Sequence, residues 1–174
     1  MITHFVATGK DITERMQTQQ RLQFLAHHDV LTELPNRALY LDRLEQAITH
    51  ARWHGRLVAA LFIDLDRFKT INDSLGHAMG DHLLTVIADR LSSTLTEDDT
   101  VSRLGGDEFA LIIANVRDVN SLLDTTRRIL GNVAQPVTVG DYELYTTASI
   151  GITIVPFAEE DAGALLKQAD TAMY

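Results

Sequence analysis

From Leu57 to Leu65 the chain runs Leu-Val-Ala-Ala-Leu-Phe-Ile-Asp-Leu, and its one charge, Asp64, stands at the next-to-last position. Nine residues of this kind make a strand covered on both faces, because a strand with one wet face would alternate apolar with polar side chains. The run is far shorter than the ~20 apolar residues that a membrane helix needs. A strand buried on both sides commits the rest of the chain to supplying a layer of cover above and below it.

That cover is legible along the sequence. Residues 12–28 carry Ile12, Met16, Leu22 and Leu25 at roughly helical spacing, interrupted at Gln19. So thin a stripe suits a connecting helix or a dimeric coiled-coil seam; an ordinary helix packed on its own domain is the alternative. Before it, residues 4–9 read as a short strand, with Asp11 placed to cap the helix. After it, Leu34-Pro35-Asn36-Arg37 reads as a turn. Arg37 to His54 then reads as a helix with Leu39, Leu41, Leu44, Ala47 and Ile48 on its apolar side, ended by Gly55. Two helices, at about residues 67–75 and 80–95, break at Gly76. Residues 100–104 and 108–114 flank Gly105-Gly106, the signature of a β-hairpin. A helix near residues 120–132, strands near 136–139 and 143–155, and a last helix from about Asp161 complete the order. The expected class is α+β, an antiparallel-containing sheet flanked by helices.

Composition excludes several roles. The 174 residues hold 45% hydrophobic and 22% charged side chains, a soluble globular balance, and the formal net charge is −9. An acidic chain is a poor partner for nucleic acid, whose phosphates demand clustered Lys and Arg. No cysteine is present, which removes disulfides and thiolate metal sites together and suits a cytoplasmic setting. The N-terminus lacks the basic and apolar segments of a signal peptide, so any membrane attachment of a parent protein is expected outside this chain.

Three features carry chemistry. The long strand ends in Asp64-Leu65-Asp66, and acids at the end of a buried strand are costly unless they bind something. The hairpin tip reads Gly105-Gly106-Asp107-Glu108, where two glycines allow a tight turn and close approach to a ligand. If the hairpin lies beside the strand, Asp64 and Asp107 converge. Hard oxygen ligands without His or Cys favour Mg²⁺ or Mn²⁺ bound together with substrate phosphates. Solvated turn acids, with Asp66 as a helix N-cap, are the alternative. Third, Asn72 and Asp81 flank Gly76-His77. A carboxylate facing N1 and N2 of guanine, with an amide on its acceptors, would read that base; helix-terminal caps are the competing explanation. A metal site on His77, Asp81 and His82 is disfavoured, because the histidines lie five apart rather than four. His27 and His28 read as ordinary helix-end residues.

Together these segments resemble the GGDEF family of diguanylate cyclases. Arg103-Leu104-Gly105-Gly106-Asp107-Glu108-Phe109 carries the naming motif in full. In order around it stand Asp29-Val30-Leu31-Thr32-Glu33-Leu34-Pro35-Asn36-Arg37, Phe62 to Asp73, Gly76-His77, Ser149-Ile150-Gly151-Ile152 and Ala169 to Tyr174. The resemblance implies a palm-like fold, as in polymerases and adenylyl cyclases, and a domain over residues 29–174. It implies metal ligation by Asp64, Asp107 and the carbonyl of Leu65. Asn72 and Asp81 would read guanine with His77 nearby, and Arg67, Phe68 and Lys69 would meet phosphates beside Gly105 and Gly106. Asp107 would accept the proton of the attacking 3′-hydroxyl, assisted by Glu108. Each domain of this family holds one GTP, so two must face each other to make cyclic di-GMP, and a dimerising connector at residues 12–28 would control their encounter.

Departures from the family pattern matter too. Its inhibitory product site is an Arg-x-x-Asp, and here Thr96 replaces the arginine before Asp99, so product inhibition there is not expected. Glu33 stands where the turn motif usually has glycine. The family's phosphate-contacting lysine and arginine follow the Ala-Met-Tyr at which this sequence stops, so weak GTP affinity is expected of the isolated piece. His4 to Arg15 resembles the last strand and exit of a PAS sensor, which places residues 1–28 as a remnant and connector. Asp99 to Arg103 and Ala169 to Tyr174 resemble cyclases fused to a downstream EAL phosphodiesterase. Two other functions compete with synthesis: a catalytically silent GTP sensor controlling such a phosphodiesterase, and a purely structural dimerisation module that binds no nucleotide.

Overall fold

The structure, a computed structural model, describes residues 13–155. The strand expected at 4–9, its Asp11 cap and PAS-like context, the last helix from Asp161 and the segment Ala169 to Tyr174 lie outside the described residues.

The buried run forms β1 (Leu57–Leu65), and it is central. With β2 (Thr100–Gly105), β3 (Glu108–Val116) and β6 (Ala148–Val155) it builds a four-stranded sheet in the order β2-β3-β1-β6, every neighbour antiparallel. Successive side chains of a strand point to opposite faces, and β1 divides its residues accordingly. Ala59, Leu61, Ile63 and Leu65 meet Leu83, Leu84, Ile87 and Leu91 of helix α4 (His77–Thr94) and Ile129 and Val133 of α5 (Val119–Val133). Val58, Ala60 and Phe62 meet Tyr40, Leu44, Ile48 and Ala51 of α2 (Arg37–His54). Both faces are covered, as the unbroken apolar run requires.

Helix α2 begins and ends where its sequence signals stand. The Asn36 side chain accepts hydrogen bonds from the amides of Ala38 (3.0 Å) and Leu39 (3.2 Å), satisfying two orphan donors of the first turn. Gly55 closes the other end in the left-handed region, at φ 62°. Its buried stripe is Tyr40, Leu44, Ile48 and Ala51, so the axis of burial runs through a tyrosine that the sequence reading left out; Leu39, Leu41 and Ala47 are only half-buried.

Two expectations need correction. The second helix of the pair does not wait for Gly80: α3 (Phe68–Leu75) and α4 are separated by Gly76 alone, whose φ of 89° turns the chain within one residue. The strand expected over residues 143–155 is two. β5 (Tyr142–Leu144) pairs with β4 (Val137–Val139) in a separate hairpin, and β6 starts only at Ala148. Residues 145–147 leave the ladder because Thr146 and Thr147 bond to the end of β1 instead: Asp66 N–H donates to Thr147 O (2.9 Å) and Thr146 Oγ1 to Asp66 O (3.1 Å).

Ahead of this body lies α1 (Thr13–His27), whose Met16 and Leu22 are 51% and 63% exposed while Phe24 and Leu25 are half-buried. The stripe therefore packs on its own domain only near its C-terminal end. No described helix is long and apolar enough to cross a membrane.

Candidate active site

Strand register brings the acids together. Asp64 of β1 stands opposite Glu108 of β3 on one side and Ser149 of β6 on the other. Asp107 sits in the turn just before Glu108, where Gly105 (φ 148°) and Gly106 (φ 54°) occupy backbone conformations that side chains rarely adopt. The crowding is electrostatic as well as geometric. Burial pushes the Asp64 carboxyl above the usual carboxylate range, and the charges of Asp107, then Glu108, then Asp66 push it further. A cation placed among these groups would relieve that repulsion. Among the described residues no three His, Asp or Glu side chains close into a ready-made cage. Mg²⁺ usually binds through one or two carboxylates and completes its shell with water and phosphate.

Asp66 does not cap α3. Its carboxylate accepts from Thr147 Oγ1, just before β6, and from Ser149 Oγ (2.9 Å) of β6. The position before the helix belongs to Arg67, a non-glycine residue in the left-handed region (φ 60°, ψ 18°), and no side chain caps the first turn. The amides that open α3, from Phe68 onward through Lys69, have no intrahelical acceptor and form a small positive pole.

Asn72 and Asp81 do not cap helices either: Asn72 lies inside α3 and Asp81 is the fifth residue of α4. Gly80 lets Asn72 approach α4 closely. A methyl group on Gly80 would stand 1.9 Å from Asn72 Oδ1, so glycine alone lets the amide lie against α4. That oxygen is buried without a hydrogen-bond partner among the described residues, an arrangement worth about 1–3 kcal/mol against the fold. His77 and Asp81, four residues apart, share one exposed face of α4 beside it. A cleft of about 1200 Å³ lies elsewhere, among Arg56, Asp99, Arg117 and Arg128.

Comparison with known proteins identifies the family. The profile described as "Diguanylate cyclase, GGDEF domain" matches residues 26–174. The chain belongs to the GGDEF family. Diguanylate cyclase TpbB of Pseudomonas aeruginosa is 45% identical over 150 residues, covering 86% of this chain and 34% of TpbB. The cyclic di-GMP phosphodiesterase PdeR of Escherichia coli is 40% identical over 169 residues, 97% of this chain and 25% of PdeR. This chain therefore spans a quarter to a third of the length of these relatives. The structure of the TpbB GGDEF domain superposes with a TM-score of 0.81, covering 85% of this chain and 87% of that one. The expected α+β fold is the fold of this family.

Within this GGDEF domain the structure supplies a tie that sequence reasoning missed. Arg103, just before the hairpin tip, donates from Nε (3.1 Å) and Nη2 (2.8 Å) to Gly106 O and from Nη1 (2.9 Å) to Asp29 Oδ1, 74 residues away. Asp29 also receives the amide (2.9 Å) and hydroxyl (2.7 Å) of Thr32. Burial pushes the Asp29 carboxyl up, but the Thr32 and Arg103 hydrogen bonds outweigh it and hold it below the usual carboxylate range. The turn after α1 is thereby bolted to the GGDEF loop. Both side chains are largely buried, 11% and 23% exposed. Arg103→Ala should lower unfolding free energy by about 2 kcal/mol in urea titration at neutral pH, with Arg103→Lys recovering part of it. The Asp29 share of stability is present above the ordinary carboxylate range and is lost as pH falls through the depressed value, so the variant's deficit should shrink in acid.

Two departures from the family pattern now have physical content. Asp99 accepts from the Thr96 amide (3.0 Å) and hydroxyl (2.7 Å) on one oxygen and from the Ala114 amide (2.9 Å) on the other, so its carboxylate is occupied by a turn and a strand. Glu33 takes the left-handed conformation (φ 59°) that glycine would adopt freely.

Proposed function

We propose that this domain is a diguanylate cyclase module that joins two GTP molecules into cyclic di-GMP with release of pyrophosphate. The observation that carries the reading is the convergence of Asp64, Asp107 and Glu108 at the end of β1, beside the uncapped start of α3 and the Asn72–Gly80 contact. In this reading Asp64, Asp107 and the Leu65 carbonyl hold Mg²⁺ or Mn²⁺, which when bound neutralises triphosphate charge and acidifies the ribose 3′-hydroxyl. Asp107 accepts that proton, assisted by Glu108. Asn72 and Asp81 read guanine with His77 at the rim, while Arg67, Phe68 and Lys69 meet phosphates. Gly105 and Gly106 let the hairpin backbone approach the nucleotide. Phosphoryl transfer depends on in-line positioning and charge neutralisation, and these residues offer both.

Two such domains must face each other, each holding one GTP. The exposed Met16 and Leu22 of α1 support a dimerising connector within residues 1–28, read with the exit of a PAS-like sensor, ahead of the catalytic domain at 29–174. The reaction draws on a cytoplasmic nucleotide pool, which places the domain there.

A second reading is a silent GTP-binding domain that regulates an attached EAL phosphodiesterase; the similarity to PdeR favours it. One assay separates the two: GTP turnover with Mg²⁺ in the complete protein, alongside Asp107→Ala. Synthesis predicts cyclic di-GMP from the parent and a loss of about three orders of magnitude in the variant. Tight GTP binding without product favours the regulator, and no nucleotide binding at all defeats both.

A further inference from the structure

Asp66 comes just after the end of β1 and lies near enough to Asp64 for its charge to act there. It is the natural second carboxylate for any ion at the end of β1, yet both of its oxygens are already engaged, by Thr147 Oγ1 and Ser149 Oγ. Asp64, by contrast, has no side-chain hydrogen bond to another described residue. The acids are sorted: one is left open and the other is tied down. Asp66 gives its backbone to the same segment, donating its N–H to Thr147 O and accepting Thr146 Oγ1 on its carbonyl. These four hydrogen bonds continue the β1–β6 ladder past its last pairs, Asp64↔Ser149 and Leu65↔Ala148.

The strained residue comes immediately after Asp66. Arg67 holds a left-handed backbone without being glycine, a conformation that persists only where its surroundings over-determine it. On its far side Ile71 N–H donates to Arg67 O (3.2 Å) as α3 begins. On its near side the hold is the Asp66 clip. We propose that Asp66 is a positioning residue: clamped by Thr147 and Ser149, it fixes the turn at Arg67 and so aims the Leu65 carbonyl and the opening amides of α3 at the substrate's phosphates. The proposal rests on the cyclase reading for its substrate, but the clip itself is a property of the fold. It gives Thr147 and Ser149 a task in holding that turn.

The test uses the complete protein. Thr147→Val with Ser149→Ala removes both donors and leaves Asp66 in place; Asp66→Ala removes the acceptor; Thr147→Ser keeps a hydroxyl. Loss of the clip should raise KM for Mg²⁺-GTP and lower kcat/KM on the order of 10²-fold, as a small misplacement of bound phosphates does. The three changes combined should be no worse than either set alone, because they disable one unit. Thr147→Ser should keep KM. If Asp66→Ala is far more damaging than the donor double variant, Asp66 binds the ion directly and the proposal fails. It also fails if the variants lower only the melting temperature and leave KM unchanged. Hydrogen exchange at the amides of residues 67–70, measured without nucleotide, scores the clip independently: faster exchange in the variants supports it, and unchanged exchange overturns it. A parent protein that binds no GTP would defeat the cyclase reading while leaving that exchange result standing.

Discussion

Asp64→Asn is expected to raise the melting temperature of the metal-free protein while abolishing cyclic di-GMP synthesis. The sign comes from its surroundings. Burial, Asp107, Glu108 and Asp66 all favour the protonated form of Asp64, so its folded pKa lies above its unfolded one. The folded state then binds more protons between the two values, and stability declines as pH rises through that window. At neutral pH the ionised group opposes folding, and an isosteric amide removes the opposition. The gap between variant and parent should close as pH drops below the ordinary carboxylate range, where Asp64 is protonated in both states. Added Mg²⁺ should raise the parent's melting temperature and leave the variant's unchanged, because the carboxylate proposed as its ligand would be gone. Turnover should fall by about three orders of magnitude, the equivalent of several kcal/mol of lost charge stabilisation. Thermal melts at two pH values, with and without Mg²⁺, and a product assay are sufficient. A variant that melts lower than the parent at neutral pH, or one that still makes product, contradicts the assignment. A functional group held at the expense of the fold is what the arrangement of these acids describes.

The second large effect is expected from one methyl group. Gly80→Ala should weaken GTP binding by on the order of 10²-fold and erode discrimination against ATP, with a nearly unchanged melting temperature. The new Cβ would meet Asn72 Oδ1 at 1.9 Å, Asn72 Cγ at 2.9 Å and Phe68 Cζ at 3.1 Å. The first two atoms belong to the end of a rotatable side chain, so the amide swings away and the helices stay in place. Alanine also favours a helix interior over glycine by about 1 kcal/mol, which offsets strain elsewhere. Asn72→Ala should produce the same loss, and Gly80→Ala added to it should do no further harm. Calorimetric titration with GTP and ATP across the three variants reads this directly. Undiminished GTP selectivity in Gly80→Ala would remove Asn72 from the base-reading site.

Much of this architecture was legible from local pattern. Leu57–Leu65 announced a strand with two covered faces, and the sheet encloses it on both. Asn36 and Gly55 marked the ends of α2 at Arg37 and His54, because capping depends on groups within one turn. Gly105-Gly106 marked the hairpin, since only a tight turn with unusual φ joins such strands. Local pattern also misled where it was incomplete. Residues 143–155 read as one strand because strand-favouring residues recur through them and no proline interrupts them, yet the chain breaks at 145–147 to serve hydrogen bonds at the end of β1. The role of Gly80 had a faint signal, a lone glycine in a helical pattern, which often marks a close approach.

The sequence by itself determined the family, the order of most elements and which acids stand at the turns, because motif, periodicity and capping are written in neighbouring residues. Only the tertiary structure decided which of those acids is open and which is employed. Asp29 and Arg103 are 74 residues apart, and Asp66 and Ser149 are 83 apart. Their meeting depends on strand register and on how the hairpin lies against the first turn. A shift of one residue in the β1–β6 pairing would turn Ser149 away from Asp66, and no local property of either segment specifies that alignment.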